Sequence, residues 1–230
     1  MGRPVDPPRD PRGVKRGLME EFLTLAGHGE TETRVRGSRF LAIAYPALDE
    51  ADARGPLEER RRRFSDATHH CAAWRFREGA WRALDAGEPA GAAGAPILAA
   101  VAAAGLVNAA VVVTRYFGGS RLGVGGLVRA YGEAAALALD AAPLARGIPA
   151  ARTRLTYGYE YTSTVTRTLE RFAAHEVVRG YALDGRAATV DFTVPRAEFG
   201  TLHAFLEHAT GGRLRPERVM ETVLYLKGSP

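Results

Sequence analysis

The stretch Thr114-Arg115-Tyr116-Phe117-Gly118-Gly119-Ser120-Arg121-Leu122-Gly123-Val124-Gly125-Gly126-Leu127-Val128-Arg129 holds five glycines within nine residues, among three arginines. Glycines let successive backbone N–H groups converge on one anion, best where a strand passes into a helix N-terminus. Arg115, Arg121 and Arg129 can add bidentate contacts to phosphate oxygens. The candidate RNA- or anion-binding set is therefore Arg115, Gly118, Gly119, Arg121, Gly123, Gly125, Gly126 and Arg129. The same glycines also suit a structural role, supplying positive φ and close strand–helix packing. Nucleotide motifs do not fit. The stretch has no Lys for a G-x-x-x-x-G-K-[ST] loop, and a dinucleotide fingerprint begun at Gly123 would need Gly at Val128.

A secondary set is His69, His70, Asp85 and Glu88, which could hold a divalent metal or exchange protons as general acid and base. Neighbouring residues on a strand point to opposite faces, so only one of the two histidines can enter such a site. Glu88 also stands just ahead of a predicted helix, where a carboxylate complements the dipole. No catalytic nucleophile is assigned. Ser120 lacks a G-x-S-x-G setting, and Cys71, the single cysteine, sits in mid-strand as a small apolar residue. No cofactor and no metal are expected. Tyr157, Tyr159 and Tyr161 alternate along one predicted strand, so they share either a stacking surface or a core face.

These residues need elements to place them. A hairpin is expected over 31–45 with Arg36-Gly37-Ser38 as its turn, then a charged helix over 49–64 whose arginine run reads as a solvated face. Strands follow at 70–76 and 81–84, and a helix over 96–104 bounded by Pro96 and Gly105. The β-branched run 109–114 reads as a buried strand, and residues 126–141 as a helix with Leu127, Ala130, Tyr131, Ala134 and Ala138 along one stripe. Pro143 to Pro149 marks the domain boundary, with two prolines and a glycine. Beyond it come a strand (152–161), helix (163–175), two strands turning at Asp184-Gly185 (176–183, 186–194), helix (196–210) and strand (219–226). That βαββαβ order is the ferredoxin-like pattern. The expected division is a disordered arm over 1–20, an N-terminal domain over 21–146 and a ferredoxin-like domain over 150–227, in the α+β class.

Composition sets limits. The chain has 230 residues, 46% hydrophobic and 25% charged, which excludes disordered and fibrous classes. Its net charge is +5, and all but Lys15 and Lys227 of its 31 basic residues are arginine. Beside 41 alanines and one asparagine, that skew is weak testimony for nucleic acid. The excess is +2 over residues 1–20, +1 over 21–146 and +2 over 147–230, so RNA contact requires local placement. Ile97–Val113 is apolar but alanine-rich and divided by Gly105 and Asn108, which argues against a membrane span. A cytoplasmic protein is expected.

The segments ATHHCAAW, DAGEPAGAAGAPIL and VVVTRYFGGSRLGVGGLVRAYGEA, with GSRF at Gly37–Phe40, closely resemble the IMPACT/YigZ family across residues 31–142. The tail is similar to the second domain of its bacterial members. The resemblance implies an N-terminal α/β domain like one shared by a small-subunit ribosomal protein and elongation factor G. It likewise implies a tail like the ferredoxin-like domains of elongation factors. Eukaryotic relatives regulate translation, and bacterial members are regarded as translation-linked or nucleic-acid binding. Ala86 and Ala92 depart from the family pattern, where a second Asp and a Thr are common. Those losses weaken a metal or acid–base reading of that loop. The expectation is a non-enzymatic protein that binds the ribosome or structured RNA and regulates translation. The alternatives are a metal-dependent enzyme on a small phosphorylated or carboxylated substrate, and a protein-interaction adaptor that binds a translation-linked protein without RNA.

Overall fold

The computed structural model describes residues 20–227. They divide into two compact units, one comprising the residues up to Arg146 together with Lys227, and one running from Gly147 to Leu226. The arm expected over residues 1–20 lies, apart from Glu20, outside the described residues.

The first unit opens with a short strand, β1 (Phe22–Leu25), that no periodicity announced. Its main sheet contains β2 (Gly29–Val35), β3 (Ser38–Pro46), β4 (His69–Arg75), β5 (Trp81–Leu84) and β6 (Ala109–Tyr116). The spatial order is β2-β3-β6-β4-β5, and every neighbouring pair is antiparallel. The central position of β6 follows from its sequence, since Ala109 to Arg115 is buried throughout. Alternate residues feed two cores. Val111 and Val113 face α2 (Gly94–Ala103) and α3 (Val124–Asp140), whereas Ala110 and Val112 pack with Ala53 and Leu57 of α1 (Glu50–Arg63). The β2–β3 turn has positive φ at both Arg36 (46°) and Gly37 (84°), the backbone that a two-residue hairpin requires. Asp49 caps α1, its Oδ1 accepting the Asp52 N–H at 2.9 Å.

The second unit runs β7 (Leu144–Tyr157), α4 (Thr162–Arg171), β8 (His175–Tyr181), β9 (Ala188–Pro195), α5 (Arg196–Thr210) and β10 (Glu217–Lys227). β9 lies between β7 and β8, antiparallel to both, and β10 pairs with β7. Leu155, Val190, Phe192 and Val194 form its core with Val165 and Leu169 of α4 and with Leu202 and Leu206 of α5.

Two expectations need correction. The strand expected over 152–161 runs instead from Leu144 to Tyr157, so Pro143–Pro149, within which the two units divide, is mostly strand. Pro149 precedes the first β7–β9 pair, Ala150 with Pro195, so that ladder asks no N–H of it. Nor do the three tyrosines share a strand face. Tyr157 ends β7 inside the core, and Tyr159–Tyr161 form a 3₁₀ turn in which the exposed Tyr159 donates its hydroxyl to Gly185 O at 2.8 Å.

Candidate functional site

Strand register gathers the chemistry at one end of the first sheet. Arg115 on β6 stands opposite Phe40 on β3 and His69 on β4, and Arg39 stands opposite Tyr116. The hairpin turn, the start of β4 and the loop into α3 therefore lie together.

The loop after β6 meets the hairpin turn backbone to backbone. A Cβ on Gly118 would lie 1.8 Å from the Gly37 carbonyl carbon, so only glycine allows the approach. The Gly118 N–H is used inside the fold, donating to Ser38 Oγ at 3.2 Å. Gly119 and Gly123 have positive φ, 86° and 69°. Gly123 is also the N-cap of α3 and offers no side-chain hydrogen bond to the first turn, which contains no acidic residue. Gly125 and Gly126 lie in that first turn, and a Cβ added at Gly126 would meet Leu122 Cβ at 3.1 Å. Arg121 and Arg129 are exposed, and neither has a carboxylate partner among the described residues. Arg36, which the motif reading passed over, is a third such arginine, brought to the loop by the Gly37–Gly118 contact. Its signal in sequence was the predicted turn, but nothing local says where that turn docks.

Arg115 must be withdrawn from the solvent-facing set. It is 5% exposed, and its guanidinium Nη1 donates to Glu88 Oε1 at 2.5 Å and its Nη2 to Ser38 Oγ at 3.3 Å. The same guanidinium lies between two rings, 5.5 Å from the centre of Phe40 and 5.7 Å from that of Phe117. Its side chain points along the apolar face of β6 that Val111 and Val113 share, which is why it is internal. Glu88 Oε1 also accepts the Tyr131 hydroxyl at 2.8 Å. Burial pushes the Tyr131 hydroxyl well above its ordinary pKa, with Cys71 and Glu88 adding to the rise. The Cys71 thiol, 3.4 Å from that hydroxyl, is pushed up to about 12, first by burial. It is therefore a poor nucleophile.

Asp85 and Glu88 do not form a carboxylate pair open to a substrate. Asp85 Oδ1 accepts the N–H groups of Ala93 and Gly94, and Oδ2 that of Gly91, so it holds the start of α2. The histidines diverge as their alternation requires. His69 sits with Glu88, its Nε2 3.8 Å from Oε1 and its Nδ1 3.0 Å from Ala86 O. His70 faces α1, with Nδ1 3.1 Å from Thr114 Oγ1 and Nε2 3.2 Å from Phe64 O. No cluster of three or more His, Cys, Asp and Glu among the described residues is placed to hold a metal ion.

A neutral His70 satisfies both contacts, donating from Nε2 to the carbonyl and accepting at Nδ1 from the threonine. Burial first, and then Arg61 and Arg60, hold its pKa below the ordinary histidine value despite the opposing Phe64 hydrogen bond. The unfolded chain thus binds a proton there more readily than the folded one. Stability is present above the unfolded value near 6.5 and lost as pH falls through the folded value. Denaturation midpoints at pH 5 and pH 7.5 should differ more for the parent than for His70→Gln.

An antiparallel α/β sheet that joins a glycine-rich loop to a helix N-terminus defines the class of the first unit. Residues 36–139 match the Impact N-terminal domain. An IMPACT family member of Thermus thermophilus, from the pol 5' region, is 50% identical over 111 residues, 48% of this chain and 60% of that protein. YvyE of Bacillus subtilis is 35% identical over 125 residues (54% of this chain, 58% of YvyE), and YigZ of Escherichia coli 38% over 120 (50% and 58%). The first unit is an Impact N-terminal domain of the IMPACT/YigZ family. The chain spans about six tenths of the length of these relatives. A crystal structure of a hypothetical protein is similar over 88% of this chain and 98% of its own, with a TM-score of 0.63 and 28% identity. Among the described residues no helix is long and apolar enough to cross a membrane.

Proposed function

We propose that this protein binds structured RNA, on the ribosome or free, without catalysing a reaction, and that it acts in translation from the cytoplasm. The observation that carries the reading is the uncapped start of α3 beside Arg36, Arg121 and Arg129, none of which is ion-paired with a carboxylate among the described residues. Unpaired N–H groups at a helix start and guanidinium groups are what phosphate oxygens seek. The whole-chain charge is modest, so this local excess matters more than the total. The second unit, read as ferredoxin-like from its element order, and the first, read as the domain type of a ribosomal protein and elongation factor G, fit a translation partner. The enzyme reading is weaker. Asp85 is engaged by backbone N–H groups and Glu88 by Arg115 and Tyr131, which leaves no free carboxylate pair for acid–base work.

The test is filter binding of an RNA hairpin across a salt series, with ribosome co-sedimentation beside it. Arg121→Glu should weaken binding about tenfold at low salt and lower the slope of log K against log salt by about one. Curves for variant and parent that overlay at every salt concentration would overturn the reading.

A further inference from the structure

Phe117 is apolar, on the loop, and half exposed at 48%. Most exposed hydrophobic residues need no account, but this one is held as a rigid platform. Its N–H donates to Thr68 Oγ1 at 2.9 Å, which fixes the backbone. The Arg115 guanidinium stands 5.7 Å from its ring centre, and that group is itself clamped by Glu88, Ser38 and the ring of Phe40. A buried ion pair thus supports a surface aromatic, one residue before the glycines that lead into the phosphate-seeking helix start. An aromatic ring beside phosphate-binding groups is the arrangement that takes an unpaired base, since every base presents a flat face for stacking. A ring whose backbone is already fixed and which rests against a clamped guanidinium loses less freedom on binding than one on a free loop.

We infer that Phe117 is a nucleobase-stacking site, and that the RNA bound at the α3 loop presents an unstacked base there. This rests on the RNA reading above and narrows it, because a fully paired duplex has no such base to offer. Phosphates would lie at the helix start with Arg121 and Arg129, and the base would turn back onto the Phe117 ring. Phe117 supplies stacking, and Arg115 positions it without touching the ligand.

Two probes separate the terms: a uridine-rich single-stranded RNA carrying one 2-aminopurine, and a fully paired RNA duplex. Wild type should quench the 2-aminopurine fluorescence. Phe117→Leu should weaken the single strand about tenfold, abolish the quenching and leave duplex binding unchanged, whereas Phe117→Trp should retain both affinity and quenching. If Phe117→Leu binds the single strand like wild type while Arg121→Glu weakens both probes, the stacking site falls and the RNA reading stands. If Phe117→Leu weakens both probes equally, Phe117 is a structural residue and the stacking site likewise falls. If wild type binds neither probe, nor the hairpin, nor ribosomes at low salt, the RNA reading itself is overturned.

Discussion

Glu88→Leu should destabilise the protein by about 3–5 kcal/mol, the range expected when one partner of a buried ion pair is removed. Both partners are enclosed, with side chains 4% (Glu88) and 6% (Arg115) exposed, so water cannot replace the lost carboxylate. The change strands the guanidinium and takes the acceptor from Tyr131, whose buried hydroxyl then has no strong partner. Arg115 Nε already lacks a hydrogen-bond partner, which makes the pairing of the other two nitrogens matter more. Replacing both partners, Glu88→Leu with Arg115→Met, should recover much of the loss, because an apolar pair of similar volume avoids the uncompensated charge. Urea denaturation of the four proteins in a double-mutant cycle reads the coupling directly. A loss below about 1 kcal/mol in the single variant would mean that water reaches the pair.

Gly118→Ala should be nearly as damaging, for a steric reason. Besides the Gly37 carbonyl carbon, the added Cβ would meet the Gly37 carbonyl oxygen at 2.1 Å and the Ser38 nitrogen at 2.2 Å. All are backbone atoms of a tight turn, so no rotamer change relieves the contact. The turn and the loop must part, at a cost of about 3 kcal/mol, the upper end for an overpacked site. Parting them also removes the Gly118 N–H to Ser38 bond and carries Arg36 away from Arg121, so RNA affinity should fall more than about tenfold. Gly125→Ala is the matched control. Its Cβ meets only Arg129 Nη1, at 3.9 Å, and the residue lies within α3, where alanine is expected to raise stability by about 0.4–1 kcal/mol. Thermal unfolding of the two variants tests the contrast; equal stability would refute the backbone contact.

Much of the architecture was legible from local pattern. The turn around Arg36-Gly37-Ser38, the charged helix α1 and the β-branched run of β6 each depend on a few adjacent residues, and each stands where its residues indicated. The split of His69 from His70 needed only the two-residue period of a strand. β1 escaped because four residues are too few to establish a period. The units divide within Pro143–Pro149 as its residues indicated, but β7 begins earlier than expected, because it accommodates the prolines and glycine ahead of its pairing with β9.

The chemistry of the arginines was a different matter. Residue types and spacing alone indicated a glycine-rich passage from strand to helix, and the resemblance of the segments around it indicated the family. They did not show which arginine faces water. Arg115, Arg121 and Arg129 look equivalent along the chain, yet Arg115 is internal because β6 lies between β3 and β4 and carries it toward Glu88, 27 residues away, and Ser38, 77 away. The same register draws Arg36 into the site. Periodicity records which face of an element a residue occupies, and the partner waiting on that face is set only when distant strands come into register.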